Sequence, residues 1–276
     1  YNTLEVQAYD FSDESTYSQH LVNSGDWTKT KPAETKTQLS QVSAYARAAY
    51  SYDDRYILTT SIRRDASSKL FKDNNSGIFP AVSGAWKISS EEFFHPGTVS
   101  LLKVRASWGQ IGNANVVNNY SYASNLEETG QYIYLGNSHE NPIKGVGLTT
   151  IPNRNLIWET SEQTDLGFDL ELLWGTVYFS ADYYIKNTKD LIEEIPMPSV
   201  AGVRTDPYGN IGKVQNRGWE FTLGYNNRTR GGFEYRIDGN IAFLKSEVKD
   251  LGDREFFAHD KTISAMQPLR SGVGQP

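Results

Sequence analysis

The sequence predicts an all-β chain, an antiparallel transmembrane β-barrel segment, on three observations. Long runs alternate between apolar and polar residues over about 9 to 13 positions, longer than the roughly 5 to 6 usual in soluble sheets and matched to a tilted bilayer crossing. The connections alternate between short (53–55, 88–100, 173–176, 227–232) and long (65–78, 110–157, 188–214), as periplasmic turns and extracellular loops do. Aromatic residues crowd the short-turn ends: Tyr50, Tyr52 and Tyr56 at one, Trp174 at another, Tyr225, Phe233 and Tyr235 at a third, in the manner of an interfacial girdle. A soluble β-sandwich shares the alternation but obeys no rule of short and long loops.

Composition is compatible with this reading and excludes others. A chain of 276 residues is long enough to bury a sizeable surface, as one large β domain or two smaller ones. A hydrophobic content of 38% with a mean hydropathy of -0.55 suits a soluble protein, yet a barrel wall averages out as polar because only every second residue meets lipid. No window approaches the roughly 18 consecutive apolar residues of a membrane helix, so any span is a strand. A net charge of -6 argues against nucleic acid, and the absence of cysteine excludes disulfides and thiolate metal sites. The chain opens at Tyr1 without a signal peptide and reads as a mature segment or a fragment.

In chain order, residues 1–41 read as loop, with a short strand near 4–9 and a helical turn near 15–23. In the first hairpin Val42, Ala44, Ala46, Ala48, Tyr50 and Tyr52 share a face, the turn is Asp53, Asp54 and Arg55, and Tyr56, Leu58, Thr60 and Ile62 return on the same side. A third strand over 79–87 alternates more weakly. Ser89 and Glu92 have the spacing of a capping box. Leu102, Val104, Ala106 and Trp108 then alternate with Lys103, Arg105, Ser107 and Gly109. After 110–157, which has no sustained period, comes the clearest signal: Leu166, Phe168, Leu170 and Leu172 against Asp165, Gly167, Asp169 and Glu171, a tight turn, and then Val177, Phe179, Ala181, Tyr183 and Ile185 against Tyr178, Ser180, Asp182, Tyr184 and Lys186. A last hairpin sets Trp219, Phe221, Leu223 and Tyr225, with Phe233, Tyr235, Ile237, Ile241 and Phe243, against Glu220, Thr222, Asp238 and Asn240.

The same segments resemble a known family. RRDASSKL at 63–70, FPAVSGAWKISSEEFF at 79–94, LLKVRASWGQIGN at 101–113, IPNRNLIWETSEQTDLGFDL at 151–170, VYFSADYYIKNTKDLI at 177–192 and NIGKVQNRGWEFTLGYNN at 210–227 are similar to the SusC/RagA family of TonB-dependent outer-membrane transporters, typical of Bacteroidota. The likeness covers nearly all of 42–250 in the family's order. It departs at Ala66, where a glycine is usual, and in residues 1–41. The resemblance implies a barrel of about 22 strands, of which about eight are legible here, so residues 1–276 read as one part of a single barrel domain without its plug. It further implies import of a nutrient, an oligosaccharide or alternatively a peptide, across the outer membrane of a Gram-negative bacterium. The implied partners are a SusD-like surface lipoprotein and the TonB complex, the latter reached through a missing N-terminal part. No cofactor is implied.

Competing chemistry is weak. Asp169 and Glu171 lie roughly 7 Å apart along one strand face, near the spacing of some glycosidase pairs, but a solvated row of carboxylates accounts for them as well. His20, His95, His139 and His259 fit no catalytic or zinc motif, and Gly145, Val146 and Gly147 precede no helix. An outer-membrane barrel enzyme or an adhesin is the remaining alternative. Candidate substrate contacts are Arg63, Arg64 and Asp65 at a strand end, with an ion pair as the bland reading, and the loop aromatics Trp27, Tyr132 and Tyr134. Alternation assigns Leu166, Phe168, Leu170, Phe179, Ile185, Trp219, Phe221 and Ile237 to lipid, and Asp165, Asp169, Asp182, Glu220 and Asp238 to the lumen.

Overall fold

The computed structural model describes residues 2–7, 33–95, 97–124, 126–134, 143–203, 205–252, 254, 256–258 and 270–275; in 2–7, 33–37, 126–134, 143–146, 199, 257–258 and 270–271 it describes the backbone alone. Trp27, His20, His139 and His259 lie outside the described residues, as does the helical turn expected near 15–23.

The main body is one eight-stranded antiparallel meander in which each strand is hydrogen-bonded to its neighbours in the chain. Its strands are β1 (Gln41–Tyr52), β2 (Tyr56–Ser67), β3 (Ser76–Lys87), β4 (Val99–Asn113), β5 (Glu159–Leu172), β6 (Val177–Lys189), β7 (Lys213–Arg228) and β8 (Glu234–Asp250). They run from 12 to 17 residues, longer than alternation alone marked. Turns at 53–55, 173–176 and 229–233 are short and connections at 114–158 and 190–212 are long, but the expected alternation is not strict: β2 and β3 extend to Ser67 and Ser76 and leave only eight residues at 68–75, against eleven at 88–98. The first turn is tight because Asp53 and Asp54 both adopt positive φ and Arg55 N–H donates to the Tyr52 carbonyl at 3.0 Å, a geometry whose twist suits a two-residue hairpin.

Directly opposed residues share a face, so the register converts the sequence alternation into two continuous surfaces. One cross-strand row reads Tyr52, Tyr56, Trp86, Val104, Phe168, Ala181, Phe221, Ile241; the row beside it reads Ser51, Ile57, Ala85, Arg105, Gly167, Asp182, Glu220, Ala242. On the apolar face the rings of Tyr183, Trp219, Phe221, Phe179 and Phe243 form a chain of contacts with centroids 4.7 to 6.4 Å apart. Every buried residue of the eight strands, among those described, lies on the polar face: Ser67, Phe79, Gly167, Thr188, Gly218, Gly224 and Val248. Four of these, Ser67, Phe79, Thr188 and Val248, lie towards the end of the strands where the long connections join, Phe79 meeting the Trp158 ring edge-on, while the apolar face stays open.

Two expectations need correction. Ser89 and Glu92 form no capping box: the turn at Ile88–Ser90 is a single 3-10 turn whose N-cap is Lys87, with no side-chain cap. Three residues are too few to need one, and Glu91 is drawn instead to Tyr56 and Trp86. The stretch 110–157 is not wholly irregular, since Leu126–Tyr134 pairs with Ile143–Leu148; within 1–41, the short strand expected near 4–9 lies at Asn2–Gln7 and pairs with Ala33–Gln38. The pairing of Leu126–Tyr134 is interrupted by a register shift between Glu128 and Ile133, so period 2 carries no signal there. Past β8, Val248 exchanges backbone hydrogen bonds with Gly274 and Gln275 at 2.8 and 2.9 Å, which brings the chain back beside that strand.

Candidate functional site

The polar face is built from bridges that span three strands. Arg105 on β4 and Asp182 on β6 both stand opposite Gly167 of β5, and with no side chain between them they meet at 3.0 Å. Arg105 also donates through Nε and Nη2 to both oxygens of Asp169, at 2.8 and 2.9 Å, and Lys103 Nζ reaches the same carboxylate at 3.0 Å. The two-pronged geometry suits a guanidinium and orders the wall. Tyr178 on β6, Gly224 on β7 and Asp238 on β8 repeat the device: the tyrosine ring lies over the glycine and its hydroxyl donates to Asp238 at 2.5 Å, while Arg236 packs over the ring and pairs with Asp238 at 2.7 Å. Beside these bridges lies a shallow trough of about 300 Å3, lined by the hydroxyls of Thr59, Ser61, Ser83 and Ser107 together with apolar groups such as Ala81, Gly109 and Ile111.

Above the wall, the long connections assemble around a small core of Leu70, Ala114, Val117, Leu156 and Ile192, with Trp158 and Tyr208 packed against it. Polar ties cross between the loops. Asn118 Nδ2 donates to the Tyr208 hydroxyl at 3.0 Å, Asn153 Nδ2 to its carbonyl at 2.9 Å, and Asn210 exchanges two hydrogen bonds with the Ile157 backbone. Burial and the neighbouring Glu194 carboxylate push the Tyr208 phenol above its ordinary range. These loops enclose a cavity of about 490 Å3, whose lining includes Asn118, Tyr120, Glu194, Asp206 and Tyr208. That volume is of ligand size.

At the opposite end, the turn 88–98 hooks onto the aromatic rim. Glu91 accepts from the Tyr56 hydroxyl at 2.6 Å and from the Trp86 indole N–H at 2.8 Å, with Arg55 at 3.4 Å. These donors hold its carboxyl below the usual range.

The model of the "TonB dependent receptor-like, beta-barrel" family matches residues 2–273. The chain belongs to the TonB-dependent receptors. TonB-dependent receptor P39 of Formosa agariphila is 31% identical over 258 residues, covering 93% of this chain and 24% of that protein. TonB-dependent receptor SusC of Bacteroides thetaiotaomicron is 29% identical over 218 residues, covering 78% of this chain and 21% of its own length. Among solved structures, that of the RagAB peptide transporter superposes with a TM-score of 0.76 at 20% identity, over 96% of this chain and 28% of that one. The chain thus spans about a quarter of the length of the curated relatives it matches, and the SusC/RagA resemblance of its motifs is shown by its relatives. The TonB-dependent receptors are outer-membrane barrels, so the eight strands form part of a transmembrane wall with short periplasmic turns and long outer loops.

In this receptor segment Arg63 and Asp65 pair with each other at 2.7 Å on the polar face, and Arg63 also reaches Ser43. Arg64 stands on the opposite face between Ala44 and Ile78. Tyr132 and Tyr134 lie in the outer hairpin, where the backbone alone is described. Register places Asp165, Asp169, Asp182, Glu220 and Asp238 on the polar face, and Leu166, Phe168, Leu170, Phe179, Ile185, Trp219, Phe221 and Ile237 on the other. Asp169 is tied to Arg105 and Lys103, and Ser107 and Gln163 donate to Asp165. Sequence reasoning missed the bridging glycines and the loop cavity. The first depends on the exact register between strands, which alternation leaves open to shifts of two residues; the second depends on loop packing, which has no period.

Proposed function

We propose that the whole protein is a TonB-dependent importer of the outer membrane, and that this segment supplies part of its wall and its outer vestibule. The apolar face, with Leu166, Phe168, Leu170, Phe179, Ile185, Trp219, Phe221 and Ile237, meets lipid; the polar face, with Asp165, Asp169, Asp182, Glu220 and Asp238, lines the lumen. What carries the reading is the family match over residues 2–273 on a wall whose polar face is roofed by its own long loops. The substrate is an oligosaccharide, received at the loop cavity by Asn118, Tyr120, Glu194, Asp206 and Tyr208, with Arg63, Asp65, Tyr132 and Tyr134 as further contacts at the rim; Arg64, on the opposite face, is not among them. Planar amides, carboxylates and aromatic rings around one cavity suit a ligand rich in hydroxyl donors. A SusD-like surface lipoprotein closes the mouth, and the TonB complex drives release through the part of the receptor that precedes the barrel. Peptide import is the second reading, favoured by the likeness to the RagAB peptide transporter.

Uptake in the native bacterium tests this. Deleting the whole gene, or disabling TonB, should abolish entry of a fluorescent oligosaccharide that supports growth, and a plasmid copy should restore it. Loss of labelled peptide uptake alone would replace the first reading with the second. Unchanged uptake of both after TonB is disabled would end the import reading.

A further inference from the structure

The outer end of the β7–β8 ladder holds an arrangement that the wall itself does not explain. Arg217 and Lys245 stand directly opposite each other on the apolar face, both exposed, and like charges in that position repel. Among the described residues, the carboxylate beside them, Glu247, is taken by Lys249 at 2.7 Å and sits 3.7 Å from Lys245. Immediately towards the membrane come the pairs Trp219 with Phe243 and Phe221 with Ile241, and then Leu223 with Gly239. At Gly239 the apolar row lacks a side chain, and an added Cβ would meet nothing within 4 Å. The result is an apolar dent of about 630 Å3 bordered by Phe179, Phe221, Leu223, Ile237 and Ile241. Dent and cation pair lie on the same face, about 20 Å apart along the strand at about 3.4 Å per residue, which is the length of an extended acyl chain.

We propose that this ladder is a seat for a phosphorylated lipid of the outer leaflet, its phosphate between Arg217 and Lys245 and one acyl chain lying over Trp219 and Phe221 into the Gly239 dent. The proposal rests on the lipid-facing reading of the apolar face. A phosphate there relieves the repulsion of the cation pair and accepts charge-assisted hydrogen bonds from both. A lipid is the occupant the geometry fits, since the cations continue directly into the apolar belt and a free anion has no use for the dent.

The test uses the full-length receptor in detergent, loaded with phosphatidic acid and with diacylglycerol of the same chains, then diluted and read by native mass spectrometry. The wild type should retain phosphatidic acid about tenfold or more over diacylglycerol, the scale of one charge-assisted contact. The double substitution Arg217→Ala with Lys245→Ala should bring the two lipids level, Lys245→Arg should keep the preference, and Gly239→Leu should weaken retention of both. Heat-modifiable migration on gels confirms that each variant is folded. Equal retention of both lipids by the wild type, or an undiminished preference in the double variant, would overturn the seat. Displacement by millimolar inorganic phosphate, with no effect of Gly239→Leu, would overturn its lipid part. The readout is retention rather than uptake, so its failure is distinct from failure of the import reading.

Discussion

Two glycines on neighbouring strands do opposite things, because they face opposite sides. A Cβ at Gly224 would run into the Tyr178 ring and the Asp238 carboxylate, so Gly224→Ala forces the ring to swing away and give up the bridge from β6 to β8. At Gly239 the same methyl enters open space. Gly224→Ala should therefore destabilise the folded receptor by about 1–3 kcal/mol, and Gly239→Ala by less than about 0.5 kcal/mol. Urea unfolding of the full-length receptor in vesicles would show this, and equal costs at the two positions would contradict the bridge. At this scale the sequence was half legible. Alternation placed Asp182 and Asp238 on one face, but a bridge also requires that Arg105 and Asp182, or Tyr178 and Asp238, meet across a particular glycine. A shift of two residues in strand pairing preserves every face and destroys every bridge.

The strands were legible as elements because each reports its own environment at every second residue, and the turns less so. Leu170 on β5 belongs to the apolar row between Leu102 and Phe179, whereas Glu171 next to it lies on the polar face. Leu166, on the same face in the middle of β5, should cost about 2–4 kcal/mol when replaced by Arg and the cost should change with lipid thickness, Leu170→Arg should cost less because it lies at the short-turn end, and Glu171→Arg much less. Asp169→Arg is a poor control, since it would set a third cation beside Arg105 and Lys103. Refolding into bilayers of two thicknesses decides the matter; a common penalty at Leu166 and Glu171 would end the account of an alternating wall. The turn 88–98 carries a pH dependence of known sign. Glu91 is held below the ordinary carboxylate range chiefly by the Tyr56 hydroxyl, so its contribution is present above the unfolded value of about 4.3 and is lost as pH falls through the lower folded value. Wild type should exceed Glu91→Gln in stability at neutral pH, and the gap should close only in acid below about pH 4. A gap that persists unchanged at lower pH would mean the carboxylate charge is not what the turn uses. The motif read at Ser89 and Glu92 named the wrong acid, because a spacing rule cannot tell a helix cap from a side chain recruited by a neighbouring strand.

The whole molecule was the most legible scale in outline and the least in its upper half. Eight long strands, most of them joined in hairpins, follow from patterning alone, although 68–75, read as a long loop, is shorter than the turn 88–98. The roof over the polar face does not, for it is held by scattered contacts such as Leu156 with Ile192 and Asn118 with Tyr208 that obey no period. The sheet is open, and β1 and β8 each have a neighbouring strand of the sheet on one side only. Along such an edge every second residue directs its N–H and C=O away from the sheet, and within lipid each group left unsatisfied costs several kcal/mol. Closing on itself is a poor remedy. An eight-stranded barrel has an interior that side chains alone fill, whereas this polar face also carries Arg105, Tyr178 and Tyr184 lying across neighbouring strands and a loop assembly folded over its outer end. Residues 1–276 expressed alone should therefore fail to form a compact barrel, giving no faster-migrating unheated band on gels and no protease-resistant core in detergent, while the full-length receptor should show both. A monomeric, heat-modifiable species from the isolated segment would mean that its strands can pair β1 with β8, and that the wall does not need the rest of the barrel to satisfy its edges.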